Sequence, residues 1–142
     1  MAHQISLFVE NKPGKLDAVL ASIIGKKIDI KAFMIASAGK FGVIKLLVDE
    51  PFKAREMLKD AGHAVALEEV VVVEIRDMPQ GIKDITDLFA SKGINIENAY
   101  GFSVQEKPKS LFIIETKEPS NIKEIVTAKG FKVLSDAQIY AL

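Results

Sequence analysis

Asn11-Lys12-Pro13-Gly14-Lys15-Leu16 closes an alternating apolar stretch and opens a helix-spaced one, and Asp77-Met78-Pro79-Gln80-Gly81-Ile82 does the same 66 positions later. The offset persists where Lys27-Ile28-Asp29-Ile30 answers Gly93-Ile94-Asn95-Ile96. It becomes 68 where Asp49-Glu50-Pro51 answers Lys117-Glu118-Pro119 and Gly62 answers Gly130. A period this long with matched punctuation marks a duplicated supersecondary unit. The repeats are residues 1–69 and 70–142.

Outward from the first loop, Ile5, Leu7 and Val9 alternate with polar neighbours, the period of a half-buried strand. Leu16, Val19, Leu20, Ile23 and Ile24 follow at helical spacing, with Gly25 as the stop. Ile28 and Ile30 begin a second strand running toward Ala36, Ala38-Gly39-Lys40 is a turn, and Val43 to Val48 is a β-branched third strand. Pro51 suits a first helical position. Ala54, Met57, Leu58 and Ala61 stripe that helix, Gly62 ends it, and Val65 to Val70 is a fourth strand. The second repeat copies the order: Val71, Val73 and Ile75 alternate, Ile82, Ile85 and Phe89 face inward, Ile94 and Ile96 open a strand, and Leu111 to Ile114 is its partner. Ile122, Ile125 and Val126 stripe the last helix and Val133 to Tyr140 closes the chain. Its inner turn, Ser103 to Lys109, is longer by two residues. Each repeat therefore reads β-α-β-β-α-β, the ferredoxin-like split βαβ, an α/β (α+β) sandwich with helices on one face of an antiparallel sheet. Glu68 to Val73 holds no Gly, Pro or Ser, so one repeat's last strand runs nearly straight into the next repeat's first. That predicts rigid coupling, with the sheets lined up or packed together.

Composition narrows the function. Hydrophobic residues make up 49% of the 142, ample for a core, and a compact body of this size buries about two-thirds of its unfolded surface. The absence of Cys removes disulfides and thiolate metal sites. Nineteen basic and nineteen acidic residues cancel, without the basic excess of a nucleic-acid binder. Only Arg55 and Arg76 are arginines, and lysine is the poorer bidentate clamp for phosphate or carboxylate. Met1 to Gln4 is too short and polar for a signal peptide, and no apolar run nears the ~20 residues of a membrane span. The reading is a soluble, cytoplasmic protein that binds neither nucleic acid nor membrane.

The loops carry the chemistry. Pro13 and Pro79 fix φ where a strand turns into a helix. The first N–H groups of that helix lack internal partners and, with the helix dipole, favour a carboxylate. Gly14 lets a ligand approach the backbone. Asn11 or Asp77 offers oxygen to an ammonium. Donors for a carboxylate beside an acceptor for an ammonium suit an α-amino-acid zwitterion. The same residue types are ordinary helix caps, so capping alone is the competing reading.

Ile5 to Leu16, with Ile28-Asp29-Ile30 after the helix, resembles the ACT domain signature: a strand, Asp/Asn-x-Pro-Gly, an apolar helix, then Gly-Ile-Asn-Ile. Lys92-Gly93-Ile94-Asn95-Ile96 is similar to that second element. Both halves match, so the resemblance spans the chain and is to small standalone tandem ACT proteins. It implies a non-catalytic sensor that binds a free amino acid at the interface between repeats, without cofactor or metal. Residue by residue it implies Asn11, Pro13, Gly14, Lys15 and Leu16, with Asp77, Met78, Pro79, Gln80 and Gly81, and from the second strands Asp29, Ile30, Asn95 and Ile96. The first repeat departs by Asn11 for Asp. The second keeps Asp77 but sets Gln80 where Gly is usual, with Gly81 one step later, so the Gly14 loop is expected to bind better. With no output domain, signalling needs self-association, for which a homodimer joined at sheet edges is expected, or a partner protein. The alternative is a detached regulatory subunit of an amino-acid biosynthetic enzyme such as acetohydroxyacid synthase.

Other features stay bland. His3 falls in an end expected to fray, and His63 follows Gly62 as a solvated turn residue; neither has a metal motif. Glu68 and Glu69, adjacent on a strand, face opposite ways and read as solvent or edge charges. Gly39 to Ile44 faintly resembles an RNA-recognition motif but lacks its second aromatic.

Overall fold

The computed structural model describes residues 1–76, 78–103 and 109–142. In chain order the elements are β1 (Ala2–Glu10), α1 (Lys15–Ala21), β2 (Ile30–Ala38), β3 (Phe41–Val48), α2 (Pro51–Asp60), β4 (Ala64–Ile75), α3 (Met78–Ser91), β5 (Asn98–Ser103), β6 (Ser110–Glu115), α4 (Pro119–Ala128), β7 (Lys132–Leu134) and α5 (Asp136–Tyr140). The chain forms two compact units. The first comprises His3–Glu68 with Asp136–Leu142, and the second Glu69–Ser135 with Met1–Ala2. The unbroken strand β4 gives its first residues to one unit and the rest to the other, as the Gly-free, Pro-free run from Glu68 to Val73 requires.

In the first unit the sheet runs β2-β3-β1-β4. Ser6 faces Lys45 and Leu7 faces Ile44 across β1 and β3. Alternation sends Ile5, Leu7, Ile44 and Leu46 to one face, where Val19 and Ile23 from the α1 region and Ala54 and Leu58 from α2 complete a buried core. In the second unit the sheet runs β5-β6-β4-β7. Val71, Val73, Ile75, Phe112 and Ile114 pack there against Ile85, Leu88 and Phe89 of α3 and Ile122 and Val126 of α4. Both units are thus the ferredoxin-like βαββαβ arrangement read from the periodicity, with helices on one sheet face. Pro51 and Pro119 open their helices. Among the described residues no helix is long and apolar enough to cross a membrane.

Several boundaries differ from the expectation. α1 stops at Ala21, short of Gly25, because Ser22 turns its hydroxyl back onto the Ala18 carbonyl (3.0 Å) and the chain winds into turns. Ile23 stays buried, but Ile24, expected inward, is 65% exposed. Lys27 occupies the left-handed region (φ 58°), which its counterpart Gly93 (φ 65°) adopts without a Cβ penalty. The strand expected from Ile94 begins at Asn98, because the Ile94 N–H closes the end of α3 on the Phe89 carbonyl (2.9 Å). Ile94 and Ile96 still pack on the core. The strand expected from Val133 to Tyr140 ends at Leu134 and gives way to α5. Asp136 opens that helix, accepts the His3 N–H (2.8 Å) and meets His3 Nδ1 (2.5 Å), while Ile139 is buried. His3 is therefore held within β1, not frayed. Of the longer turn expected between Ser103 and Lys109, residues 104–108 lie outside the described residues.

Candidate functional site

β1 ends at Glu10, and the chain is then tied to the β2–β3 turn. The Asn11 N–H donates to the Lys40 carbonyl and Asn11 Nδ2 to the Gly39 carbonyl, each at 2.9 Å. Asn11 therefore does not cap α1. Its donor side is spent on the neighbouring hairpin, which leaves Oδ1 as the acceptor it can offer. The N-cap is Gly14, at φ 85°, and no side chain caps the helix. A Cβ built on Gly14 would meet nothing within 4 Å, so the backbone there faces open space. Lys12 and Lys15 reach back to the Glu10 carboxylate at 2.8 and 3.8 Å. The hydrogen bond and charge of Lys12, aided by Lys15, hold the Glu10 carboxyl below the usual carboxylate range. Leu16 leans on the core, and the seven-residue helix contributes little dipole of its own.

The corresponding loop of the second repeat is built differently. Asp77 lies outside the described residues. Met78, Pro79, Gln80 and Gly81 are already helical, forming the first turn of α3. Met78 packs on the core beside Gly101, and Gln80 Nε2 donates to Asp84 (2.7 Å). A Cβ on Gly81 would fall 2.9 Å from the Ile75 Cβ. The missing side chain of Gly81 thus brings α3 close to β4, whereas that of Gly14 leaves an opening.

The second-strand candidates lie elsewhere. Ile30 faces Val48, at the end of β2 away from the Ala38–Phe41 turn that holds Asn11. At ~3.3 Å per strand residue the separation is about 26 Å. Asp29 precedes β2; its N–H goes to Asp49 Oδ1 (2.9 Å) and its carboxylate to Lys31 (2.8 Å). Asn95 lines a cleft of about 430 Å³ at the start of α4, and Ile96 packs inward. Within the first unit, Asn11 to Leu16 meet the Gly39-Lys40 hairpin and not Asp29 and Ile30. Gly39 and Lys40 were missed by sequence reasoning. The signal was present in the β-hairpin they close, whose tip must lie beside the end of an adjacent antiparallel strand.

Glu68, expected as a solvent charge, accepts from Ser6 Oγ (2.6 Å), Lys45 Nζ (3.2 Å) and Gln4 Nε2 (3.3 Å). Lys45 is 5% exposed and also donates to Ser6 Oγ at 2.8 Å. Burial raises the Glu68 carboxyl, but Ser6, Lys45 and Gln4 outweigh it, and the group titrates below its usual range. Glu74 is likewise held by Lys109 (3.0 Å) and Lys132 (3.4 Å), chiefly through the Lys109 hydrogen bond, which lowers its carboxyl. His63, expected in solvent, meets Ser22 Oγ at 3.0 Å.

The fold is shared with solved structures. A protein of Bacteroides thetaiotaomicron, BT0572, is 28% identical over 99% of this chain and 96% of its own, with a TM-score of 0.89. The ligand-free regulatory subunit of aspartate kinase from Thermus thermophilus matches at 19% identity over 89% of this chain and 91% of its own, TM-score 0.63. The corresponding subunit from Thermus flavus matches at 19% over 90% and 92%, TM-score 0.56. No match was found among curated proteins. The family model described as an ACT domain pair matches residues 1–142, so the chain belongs to that family of non-catalytic, amino-acid-binding regulatory modules.

Proposed function

We propose that this chain senses a free amino acid held by the Asn11–Leu16 loop and completed by a second copy of the chain. The observation that carries the reading is the Gly14 turn: an uncapped helix start, a positive φ and empty space where a side chain would stand. Backbone N–H groups there suit the carboxylate, and Asn11 Oδ1 suits the ammonium. Pro13 and Lys15 frame the turn. The Asp77–Gly81 loop is the weaker counterpart, because its helix starts earlier and Gly81 is filled by Ile75.

Asp29 and Ile30 are brought in by symmetry. β2 ends the order of its sheet, and Phe33 and Ile35 on it are 61% and 46% exposed. Every large exposed hydrophobic among the described residues belongs to the first unit. Such an edge invites pairing. If two copies of β2 pair antiparallel about a two-fold axis, the Ile30 end of one lies beside the Ala38 end of the other. That closes the 26 Å gap estimated from the strand rise. The ligand then favours the paired state, and pairing is the readout. The Thermus proteins of the same fold are regulatory subunits of aspartate kinase, which supports a partner enzyme as the next relay.

Calorimetry with the twenty amino acids should find one that binds in the micromolar to millimolar range, roughly −8 to −4 kcal/mol. Gly14→Val should weaken it at least tenfold while the fold persists; unchanged affinity would remove this loop from the site. Ile35→Lys should turn a dimer into a monomer in sedimentation velocity and weaken the same ligand. A wild-type monomer at high concentration, with ligand present, would refute the β2 pairing.

A further inference from the structure

Resting on the β2 pairing proposed above, we infer that two copies join through like units, with the two-fold axis at Ile35, and that β5 takes no part. The strands β2 and β5 end the sheet order, and an end strand offers its backbone to a further strand. The repeats equip these two edges differently. Register sets Phe33 beside Leu46 and Ile35 beside Ile44 in the first unit, and Ala99 beside Ile114 and Gly101 beside Phe112 in the second. Phe33 and Ile35 therefore stand where the sister repeat has Ala99 and Gly101, on the helix-covered face of the sheet. Both are exposed. At the sister edge the Met78 methyl lies 3.4 Å from where a Gly101 Cβ would stand. The second unit thus fills this margin with its own side chain, whereas the first presents two large apolar groups to a partner.

The backbone fixes the register. Ile30 pairs with Val48 and Ala32 with Leu47, so Lys31 is the extra residue of a β-bulge. A bulge bends an edge away from further pairing. From Ala32 to Ala38 the strand is regular over seven residues and then turns into the hairpin. Two copies of that run pair antiparallel over their whole length only with Ile35 opposite Ile35, Phe33 opposite Ser37 and Met34 opposite Ala36. The Phe33 and Ile35 side chains of both copies then meet on one face. Charge agrees with this register. Past the bulge, where two residues span the place of one, Asp29 of one copy comes level with Lys40 of the other. The Lys40 ammonium pairs with no carboxylate among the described residues, and the Asp29 side chain, though tied to Lys31, is 68% exposed. The two-fold axis repeats this meeting of opposite charges at both ends of the paired strands.

The chain has no cysteine, so single introduced cysteines report the register. A disulfide needs Cα atoms within about 7 Å. Under copper–phenanthroline oxidation of the full chain, Ile35→Cys is expected to give a covalent dimer on its own. Phe33→Cys alone should not, because its two copies stand about 13 Å apart along the strands. An equal mixture of Phe33→Cys and Ser37→Cys should crosslink. Ser37→Cys mixed with Ala99→Cys, the positions that a β2–β5 contact would bring together, should not. Lys40→Glu should raise the dimer dissociation constant about tenfold in sedimentation equilibrium, since it exchanges two attractions for two repulsions. A wild-type monomer would remove the β2 pairing itself and this inference with it. A wild-type dimer in which Ile35→Cys stays uncrosslinked, Ser37→Cys joins Ala99→Cys, or Lys40→Glu associates as tightly as wild type would leave dimerisation standing and overturn the register.

Discussion

Glu68→Ala is expected to destabilise the first unit by about 3 kcal/mol. The Lys45 side chain is only 7% exposed, and the Glu68 carboxylate faces it at 3.2 Å. Removing that carboxylate takes one anion from a nearly buried ammonium, and breaking a desolvated pair costs far more than breaking an exposed one. Removing the whole set is a different matter. Register places Ser6 opposite Lys45 in the first unit and Val72 opposite Ile113 in the second, and all four are buried. The second repeat shows that the same cross-strand position tolerates an apolar pair. Ser6→Val/Lys45→Ile should therefore equal or exceed wild-type stability, with Glu68, a third exposed, turning to solvent. Urea unfolding of the three proteins checks the order, and a double variant less stable than Glu68→Ala would refute it. The pH dependence has a fixed sign. Because the folded-state carboxyl of Glu68 is held below its usual value, its contribution is complete above the unfolded-state pKa and is lost as pH falls through the folded-state one. Wild type should lose more stability than the double variant in that acid window.

Gly81→Val should cost about 2–3 kcal/mol through overpacking. The obstacle is the Ile75 Cβ, 2.9 Å from the new atom and fixed to the backbone of β4, so no side-chain rotation relieves it. Glycine at a helical position ordinarily weakens a helix, and Gly81→Ala on an open helix face would gain stability. Here the sign should reverse, and Gly81→Ala should also lower the melting temperature. Gly14→Ala meets no atom within 4 Å, so its cost is confined to the positive φ, about 1–2 kcal/mol. If Gly81→Ala proves stabilising in thermal unfolding, α3 does not sit against β4 as described.

The contrast between these two glycines marks a limit of sequence reading. Asn11-Lys12-Pro13-Gly14 and Asp77-Met78-Pro79-Gln80-Gly81 look like variants of one loop. The one-residue shift in glycine separates an open turn from a packed helix face, and only the position of Ile75 reveals it. The same holds for Glu68. As one of two adjacent acids on a strand it reads as a surface charge, yet its partners Ser6 and Lys45 lie 62 and 23 positions away.

The chain alone determined the duplication, the βαββαβ order, the helix starts at Pro51 and Pro119 and most of the inward-facing residues, Ile24 being an exception. These follow from local steric preference and from the periods of strand and helix, which are written in consecutive residues. Tertiary structure decided that Asn11 serves the Gly39-Lys40 hairpin instead of capping α1, that Asp136 turns the chain end into a helix against His3, and that Asp29 gives its N–H to Asp49. Each of those outcomes depends on which distant groups compete for the same hydrogen bond, and that competition exists only once the strands have found their register.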